Sequence, residues 1–195
     1  MQNPIVYIIP GWNSDGKYAT KIKEALPHDK YDVRIFEYGQ PSSIPGIKGV
    51  INLIANRWRI KDTVEWLIDI IETEKQLQSD RDIYLIGHSN GGLIAYHVDK
   101  RVDVKKVVLF NAALDRDSEF KAGVLNFYCE TDWTVKLLAR IRLFSKWGDY
   151  GSRENKGAVN VNMKQFGVKR HSDFINYLDR KKDLIIRFFN DEIRK

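Results

Sequence analysis

The chain has 195 residues, of which 43% are hydrophobic and 30% charged, and it carries a formal net charge of +6 with a pI near 9.3. This composition excludes a disordered or collagen-like chain, and the length suits one domain, over residues 1–195, with a core of its own. Basic residues alternate with acidic ones, and no nucleic-acid-binding motif is present. We therefore expect a solvated basic surface and no nucleic-acid partner.

The N-terminal stretch MQNPIVYIIPGW has no Lys or Arg before its short apolar run, which is unlike a secretory signal peptide. No apolar run approaches the roughly 18 residues that a membrane-spanning helix needs. The single cysteine, Cys129, cannot form an internal disulfide and is expected to be a core side chain. These features predict a cytoplasmic protein without a membrane span, and they leave the oligomeric state open.

Short apolar runs alternate with longer stretches of helical periodicity. The predicted strands lie at residues 5–10, 33–38, 83–87, 105–114, 124–131 and 158–163. The predicted helices lie around residues 18–26, 57–76, 92–100, 137–144 and 174–188. Apolar strands between helices predict an α/β fold whose sheet is mostly parallel and covered on both faces. Two stretches fit this pattern poorly, residues 39–56 and residues 148–157.

The stretch DIYLIGHSNGGLIAYH places a serine in a glycine-rich turn between a predicted strand and a predicted helix. Gly87, Ser89 and Gly91 fit the pattern G-x-S-x-G, which is weak alone but typical of a nucleophile in this context. A sharp turn projects the hydroxyl above the sheet, and small neighbours prevent collisions. The helix that follows points its free N–H groups at the reaction centre. Ser89 is therefore the candidate nucleophile.

A serine nucleophile needs a base, normally a histidine that a carboxylate holds. His28 lies before the turn, and His97 lies inside the helix that follows it. His88 adjoins Ser89 and is expected to point away from it. His171 lies in VKRHSDF, between the last strand and the last helix. That loop position suits the base.

The acid is expected at the C-terminal end of a strand, and Asp132 directly follows the strand VLNFYCET. Asp173 is too near His171 in sequence to approach its ring easily from the far side. Glu130, two residues before Asp132, is the close competitor, and Asp115 and Asp117 follow the preceding strand.

An oxyanion also has to be stabilised during acyl transfer. The backbone N–H of Asn90 is one candidate donor, and the second is expected from the loop after the first strand. We assign it to the amide of Trp12, with Gly11 allowing the loop to come close.

The strings IIPGW, LIGHSNGG, CETDWTV and KRHSDF occur in the order found in α/β-hydrolases, and the chain resembles a small esterase/lipase-like member of that superfamily. The resemblance extends from Ile5 to the last helix. It implies a catalytic triad of Ser89, Asp132 and His171. It also implies an oxyanion hole from the amides of Trp12 and Asn90, with no metal or organic cofactor.

The sequence departs from this superfamily at two points. Pro-Gly follows the first strand, where the superfamily often has His-Gly. The chain also opens directly on the strand before the oxyanion loop, without two antiparallel strands ahead of it. We therefore expect a minimal sheet of about six strands with helices on both faces.

These features predict a serine hydrolase that cleaves a small-molecule carboxylic ester through an acyl-enzyme on Ser89. The same triad would also serve an acyltransferase, a thioesterase or an amidase. A non-catalytic binding module on this fold is the alternative from another class. An apolar wall beside Ser89 is expected from Trp12, Ile51, Leu53 and Trp133, unless the segment with Ile51 and Leu53 simply extends the long helix backwards.

Overall fold

A computed structural model describes residues 2–11, 17–38, 47–77, 81–114, 117–132, 154–169, 171 and 173–193. For helical residues 47–58, 175, 177, 179 and 180 it describes the backbone alone. The strands are β1 (Ile5–Ile9), β2 (Asp32–Ile35), β3 (Ile83–His88), β4 (Lys106–Phe110), β5 (Gly123–Tyr128) and β6 (Val159–Asn162). They form one six-stranded parallel sheet in the order β2-β1-β3-β4-β5-β6. The predicted sheet is therefore confirmed.

The described α-helices are α1 (Lys17–Ala25), α2 (Ile47–Leu77), α3 (Asn90–Asp99) and α4 (Lys182–Phe189). Two 3₁₀ helices, Met163–Phe166 and Asp173–Arg180, precede α4. The predicted helix at residues 137–144 lies outside the described residues. No helix in the described ranges is long and apolar enough to cross a membrane.

Two predicted helix boundaries were wrong. The long helix α2 begins at Ile47 rather than at residue 57. Its apolar residues Val50, Ile51 and Ile54 follow helical spacing, and that periodicity outweighs the Pro and Gly just before the helix. The C-terminal helix is divided, because the 3₁₀ segment ends in a turn in which the Lys181 N–H donates to the Leu178 carbonyl, 2.8 Å away.

Alternate residues of each strand face opposite layers of the molecule. In β1, Ile5, Tyr7 and Ile9 pack with the cluster that includes α2 and α3. Val6 and Ile8 pack with the cluster that includes α1 and α4. This explains why the strands read as continuous apolar runs, because both faces of the sheet are covered.

The carboxyl ends of the central strands lie level with one another. His88 of β3 is paired with Phe110 of β4, and Phe110 is paired with Phe127 of β5. Ser89 and Asn111 directly follow two of these paired ends, and Asp132 follows β5 after a short turn. In open parallel sheets this edge is where ligands bind.

Candidate functional site

Ser89 has a backbone conformation that a side chain rarely adopts, with φ 52° and ψ −120°. Its N–H donates to the Phe110 carbonyl at 3.0 Å. Its carbonyl accepts from the amides of Gly92 at 3.0 Å and Ala113 at 2.8 Å. Such a conformation costs free energy and persists only where the surroundings enforce it, which is common at active sites. The turn is therefore the strained strand-to-helix elbow that the sequence predicts.

The glycines of the turn allow close backbone packing. A Cβ atom on Gly91 would lie 2.1 Å from the Ile9 carbonyl oxygen, and one on Gly87 would lie 2.7 Å from the Gly91 carbonyl oxygen. On the loop after β1, a Cβ on Gly11 would lie 3.0 Å from the Ser89 Cβ. These approaches bring the start of α3 and the end of β1 against Ser89, and any larger residue would separate them.

Asp132 and His171 are in direct contact. Nδ1 of His171 lies 2.5 Å from Oδ2 of Asp132, the Asp132 side chain is fully buried, and the His171 side chain is 17% exposed. The Asp132 N–H donates to the Cys129 carbonyl at 3.0 Å, which turns the carboxylate back toward the sheet edge. A carboxylate at Nδ1 fixes the imidazole tautomer that leaves Nε2 as the proton acceptor.

The other described carboxylates do not contact the His171 ring. Glu130 is exposed, and its carboxylate lies 4.0 Å from the Lys164 ammonium. Asp117 is exposed, and Oδ2 of Asp173 accepts from the Lys169 amide at 3.2 Å. Asp115 lies outside the described residues.

The segment that carries His171 is tied to the ends of β4 and β5. The Cys129 thiol donates to the Val168 carbonyl at 3.3 Å, and Nδ2 of Asn111 donates to the His171 carbonyl at 2.9 Å. Cys129 is fully buried, as expected of a core cysteine. Asn111 was not among the predicted site residues. Its only sequence signal is a polar residue directly after an apolar strand.

Ser89 and His171 lie at the same sheet edge. The Ser89 amide bonds to Phe110, and the His171 carbonyl bonds to the next residue, Asn111. The hydrogen bonds of the described residues include none between the Ser89 hydroxyl and the His171 imidazole. Such contacts are often long without substrate and shorten in the complex.

His88 is a buried neutral histidine behind the elbow. Its ring centroid lies 4.6 Å from that of Tyr18, 4.9 Å from that of Phe174 and 4.8 Å from that of His171. Burial, and next the charge of His171, lowers the pKa of His88 well below 6.5. Neither ring nitrogen has a hydrogen-bond partner of normal geometry among the described residues, although the His171 backbone lies close enough to the ring to oppose part of the shift. The ring fills space under the site.

The peptide between Pro10 and Gly11 is held from both sides by tyrosine hydroxyls. Tyr38 donates to the Pro10 carbonyl at 2.7 Å, and the Gly11 N–H donates to the Tyr18 hydroxyl. The Gly11 amide is thus already engaged, and the next amide along the loop is that of Trp12.

The remaining predicted site residues divide into two groups. Asn90 begins α3, so its amide is among those without an acceptor inside the helix. Trp12 and Trp133 lie outside the described residues, and the structure gives only the backbone of Ile51 and Leu53, within α2.

In the described part of the chain, no three His, Cys, Asp or Glu side chains are grouped as metal ligands would be.

No protein-family model matches this sequence, and no curated protein sequence matches it. Solved structures do share its architecture. MenH from S. aureus has a TM-score of 0.63 at 12% identity, covering 98% of this chain and 96% of its own. A Xanthomonas campestris structure assigned to the alpha/beta hydrolase superfamily has a TM-score of 0.57 at 12% identity, covering 96% of this chain and 99% of its own.

A third similar structure is Est1E from Butyrivibrio proteoclasticus with bound ferulic acid. It has a TM-score of 0.59 at 14% identity, covering 95% of this chain and 88% of its own. At such identities the likeness concerns the fold, and it extends over nearly the full length of the chain. The sheet order, the strained elbow at Ser89 and these similarities establish that the chain has the α/β-hydrolase fold.

Proposed function

We propose that the protein is a serine hydrolase that cleaves a carboxylic ester through an acyl-enzyme on Ser89. The observation that carries this proposal is the 2.5 Å contact between the buried Asp132 carboxylate and the His171 imidazole, at the sheet edge where Ser89 lies on a strained turn. A serine, a buried carboxylate and a histidine, in this order along the chain, are the parts that acyl transfer requires.

In the proposed reaction, the Ser89 Oγ attacks the ester carbonyl while Nε2 of His171 accepts its proton. The resulting imidazolium is stabilised by Asp132, which stays ionised throughout. The C–O bond to the alcohol then breaks, and His171 returns the proton to the leaving oxygen. Water next attacks the acyl-enzyme while His171 again accepts a proton. The bond between the acyl carbon and the Ser89 Oγ then breaks, His171 returns the proton to Oγ, and the carboxylic acid is released.

The negative charge on the carbonyl oxygen of the tetrahedral intermediate needs donors that are already in place. We assign these to the amides of Asn90 and Trp12. The position of Asn90 at the start of α3 supports the first assignment, because the helix dipole adds positive potential there. The engagement of the Gly11 amide with Tyr18 supports the second. One such donor typically contributes about 3 kcal/mol to transition-state stabilisation.

The same site would serve acyl transfer to another acceptor, or hydrolysis of a thioester or an amide. A non-catalytic binding module on this fold is the rival from another class. The positive φ of Ser89 favours an enzyme, because a binding module has no need to maintain a strained serine.

We further propose that Trp12, Ile51, Leu53 and Trp133 form an apolar wall that receives the acyl group. The placement of Ile51 and Leu53 in α2 agrees with the alternative in which their segment extends that helix, and a helix face can line a pocket equally well. The ferulic acid bound to Est1E, a protein of the same fold, is a reason to test an aromatic acyl group.

The experiment is a panel of p-nitrophenyl esters of increasing acyl length, together with methyl ferulate, a thioester and an anilide. The wild-type protein should release p-nitrophenol with saturation kinetics, and Ser89→Ala should not exceed the uncatalysed rate. A faster reaction with the thioester or the anilide would reassign the substrate class. If the folded wild-type protein turns over no member of the panel, the binding-module alternative is favoured.

A further inference from the structure

The residue that follows β4 has an unusual backbone. Asn111 has φ 41°, in the left-handed region that few side chains adopt, and Asn is among the residues that tolerate it best. Its N–H donates to the Phe127 carbonyl at 2.9 Å, which fixes the end of β4 against β5. Only 1% of the residue is exposed. A strained, buried polar residue therefore occupies the position directly after β4.

The side chain of Asn111 reaches the segment that carries the proposed base. Its Nδ2 donates to the His171 carbonyl at 2.9 Å, across 60 positions of sequence. Its Oδ1 is buried and has no hydrogen-bond partner among the described residues. An unpaired buried oxygen costs free energy, so the bond from Nδ2 to His171 is made at some cost to the stability of the fold.

The same strand exit also holds the proposed nucleophile. Phe110 accepts the Ser89 amide at 3.0 Å, and the Ala113 amide donates to the Ser89 carbonyl at 2.8 Å. Asn111 lies between these two contacts in sequence, and its side chain bonds to the His171 carbonyl. One short segment, residues 110–113, thus contacts both the serine turn and the histidine segment, and it fixes the separation between them.

We infer that Asn111 is a positioning residue that sets the His171 imidazole relative to Ser89; this inference rests on the proposed function. Asp132 holds the ring through Nδ1, but a ring held at one atom can still pivot with its backbone. The Asn111 amide removes that freedom by binding the backbone carbonyl of the same residue. Loss of the bond should misplace Nε2 while leaving substrate contacts unchanged.

The test uses Asn111→Gly, which tolerates a positive φ and removes only the side-chain amide. The matched control is Asn155→Gly. Asn155 is also buried, and its Nδ2 donates to the Ser118 carbonyl at 3.1 Å, so the same kind of bond is lost elsewhere. Asn111→Asp is the second variant, because it keeps the shape of the residue and offers no N–H to His171. Asn111→Asp provides the test if Asn111→Gly does not fold.

For Asn111→Gly we expect kcat for an ester substrate to fall by about 10- to 100-fold, as for a misplacement of roughly 1 Å, with KM within about twofold. Labelling of Ser89 by a fluorophosphonate should slow in parallel. Asn155→Gly should keep wild-type kcat, and the two glycine variants should have similar melting temperatures. Adding Asn111→Gly to His171→Ala should cause no further loss, because the residue acts through the ring.

Four results would overturn the inference. Wild-type kinetics in Asn111→Gly, with Ser89 labelled normally, would overturn it and leave the proposed function intact. A kcat loss that Asn155→Gly shares, or a further loss in the His171→Ala background, would indicate a structural role for Asn111. A folded wild-type protein that neither turns over esters nor takes the label would overturn the proposed function itself, and this inference with it.

Discussion

Nδ1 of His171 lies 2.5 Å from Oδ2 of Asp132, although the two residues are 39 positions apart in sequence. The turn after β5 delivers the carboxylate, and the segment after β6 delivers the imidazole. Because the carboxylate is fully buried, its interaction with the ring is only weakly screened. This contact is the strongest support for acyl-transfer chemistry at the Ser89 turn.

The first prediction concerns Asp132→Asn. The amide preserves the shape of the side chain but favours the wrong imidazole tautomer, so kcat should fall by about 10⁴-fold while the protein stays folded. Steady-state kinetics on the best ester of the panel measure the loss. Glu130→Gln is the matched control, since that carboxylate is exposed. An active Asp132→Asn beside an inactive Glu130→Gln would move the acid to the other residue.

A second prediction concerns the close packing at the elbow. The Cβ of Gly91→Ala would lie 2.1 Å from a backbone oxygen, which no side-chain rotation can relieve, so this variant should lose about 1–3 kcal/mol of unfolding free energy. Urea denaturation measures it. Gly123→Ala is the control, because its Cβ would lie 3.5 Å from the nearest atom, the Lys106 Cδ. Equal stability of the two variants would contradict the packing argument.

The third prediction is a pH dependence of stability. The pKa of His88 is lowered by its burial. As pH falls below about 6.5, the unfolded chain binds protons that the folded chain does not. The free energy of unfolding should therefore decrease toward acid pH, by up to about 1.4 kcal/mol per pH unit for each proton.

His88→Phe should weaken the pH dependence of the unfolding free energy, because it removes the buried imidazole and breaks no hydrogen bond of normal geometry to a described residue. Urea denaturation at pH 7.5 and pH 5.5 compares it with the wild type. His28 is an exposed histidine, so His28→Gln is the control and should behave as wild type. If the free energy of unfolding of His88→Phe decreases between pH 7.5 and pH 5.5 as much as that of the wild type, the His88 ring is not the cause of the pH dependence.

A fourth prediction concerns the proposed apolar wall. Ile51→Ser and Leu53→Ser should raise KM for long-chain p-nitrophenyl esters and change it little for the acetate, because only a long acyl group would reach the wall. Leu77→Ser is the control on the same helix, at a position that is 74% exposed. If both variants unfold, or lose activity toward all esters equally, these side chains belong to the core instead.

Much of the fold could be predicted because each central strand is buried on both faces and is therefore mostly apolar. Element ends were less predictable. β2 ends at Ile35 rather than at residue 38. Likewise, the Pro and Gly before residue 47 indicated a break, but helical periodicity resumes directly after them, so α2 begins there.

The candidate site shows a similar division. A serine on a strand-to-helix turn is a local pattern, so the sequence alone singled out Ser89. The choice among carboxylates depends on where side chains point, and the turn through Cys129 that directs Asp132 inward has no distinct sequence signal. Asn111 was missed for a related reason, since its partner lies 60 positions away.

The most direct test of the account is fluorophosphonate labelling of the folded wild-type protein, with the modified residue identified by peptide mass spectrometry. An activated serine reacts with this probe, whereas an ordinary hydroxyl does not. We expect a single adduct, on Ser89, and none in Ser89→Ala or after denaturation. A folded protein that takes no label, or an adduct that forms on another residue, would contradict the assignment of Ser89 as the nucleophile.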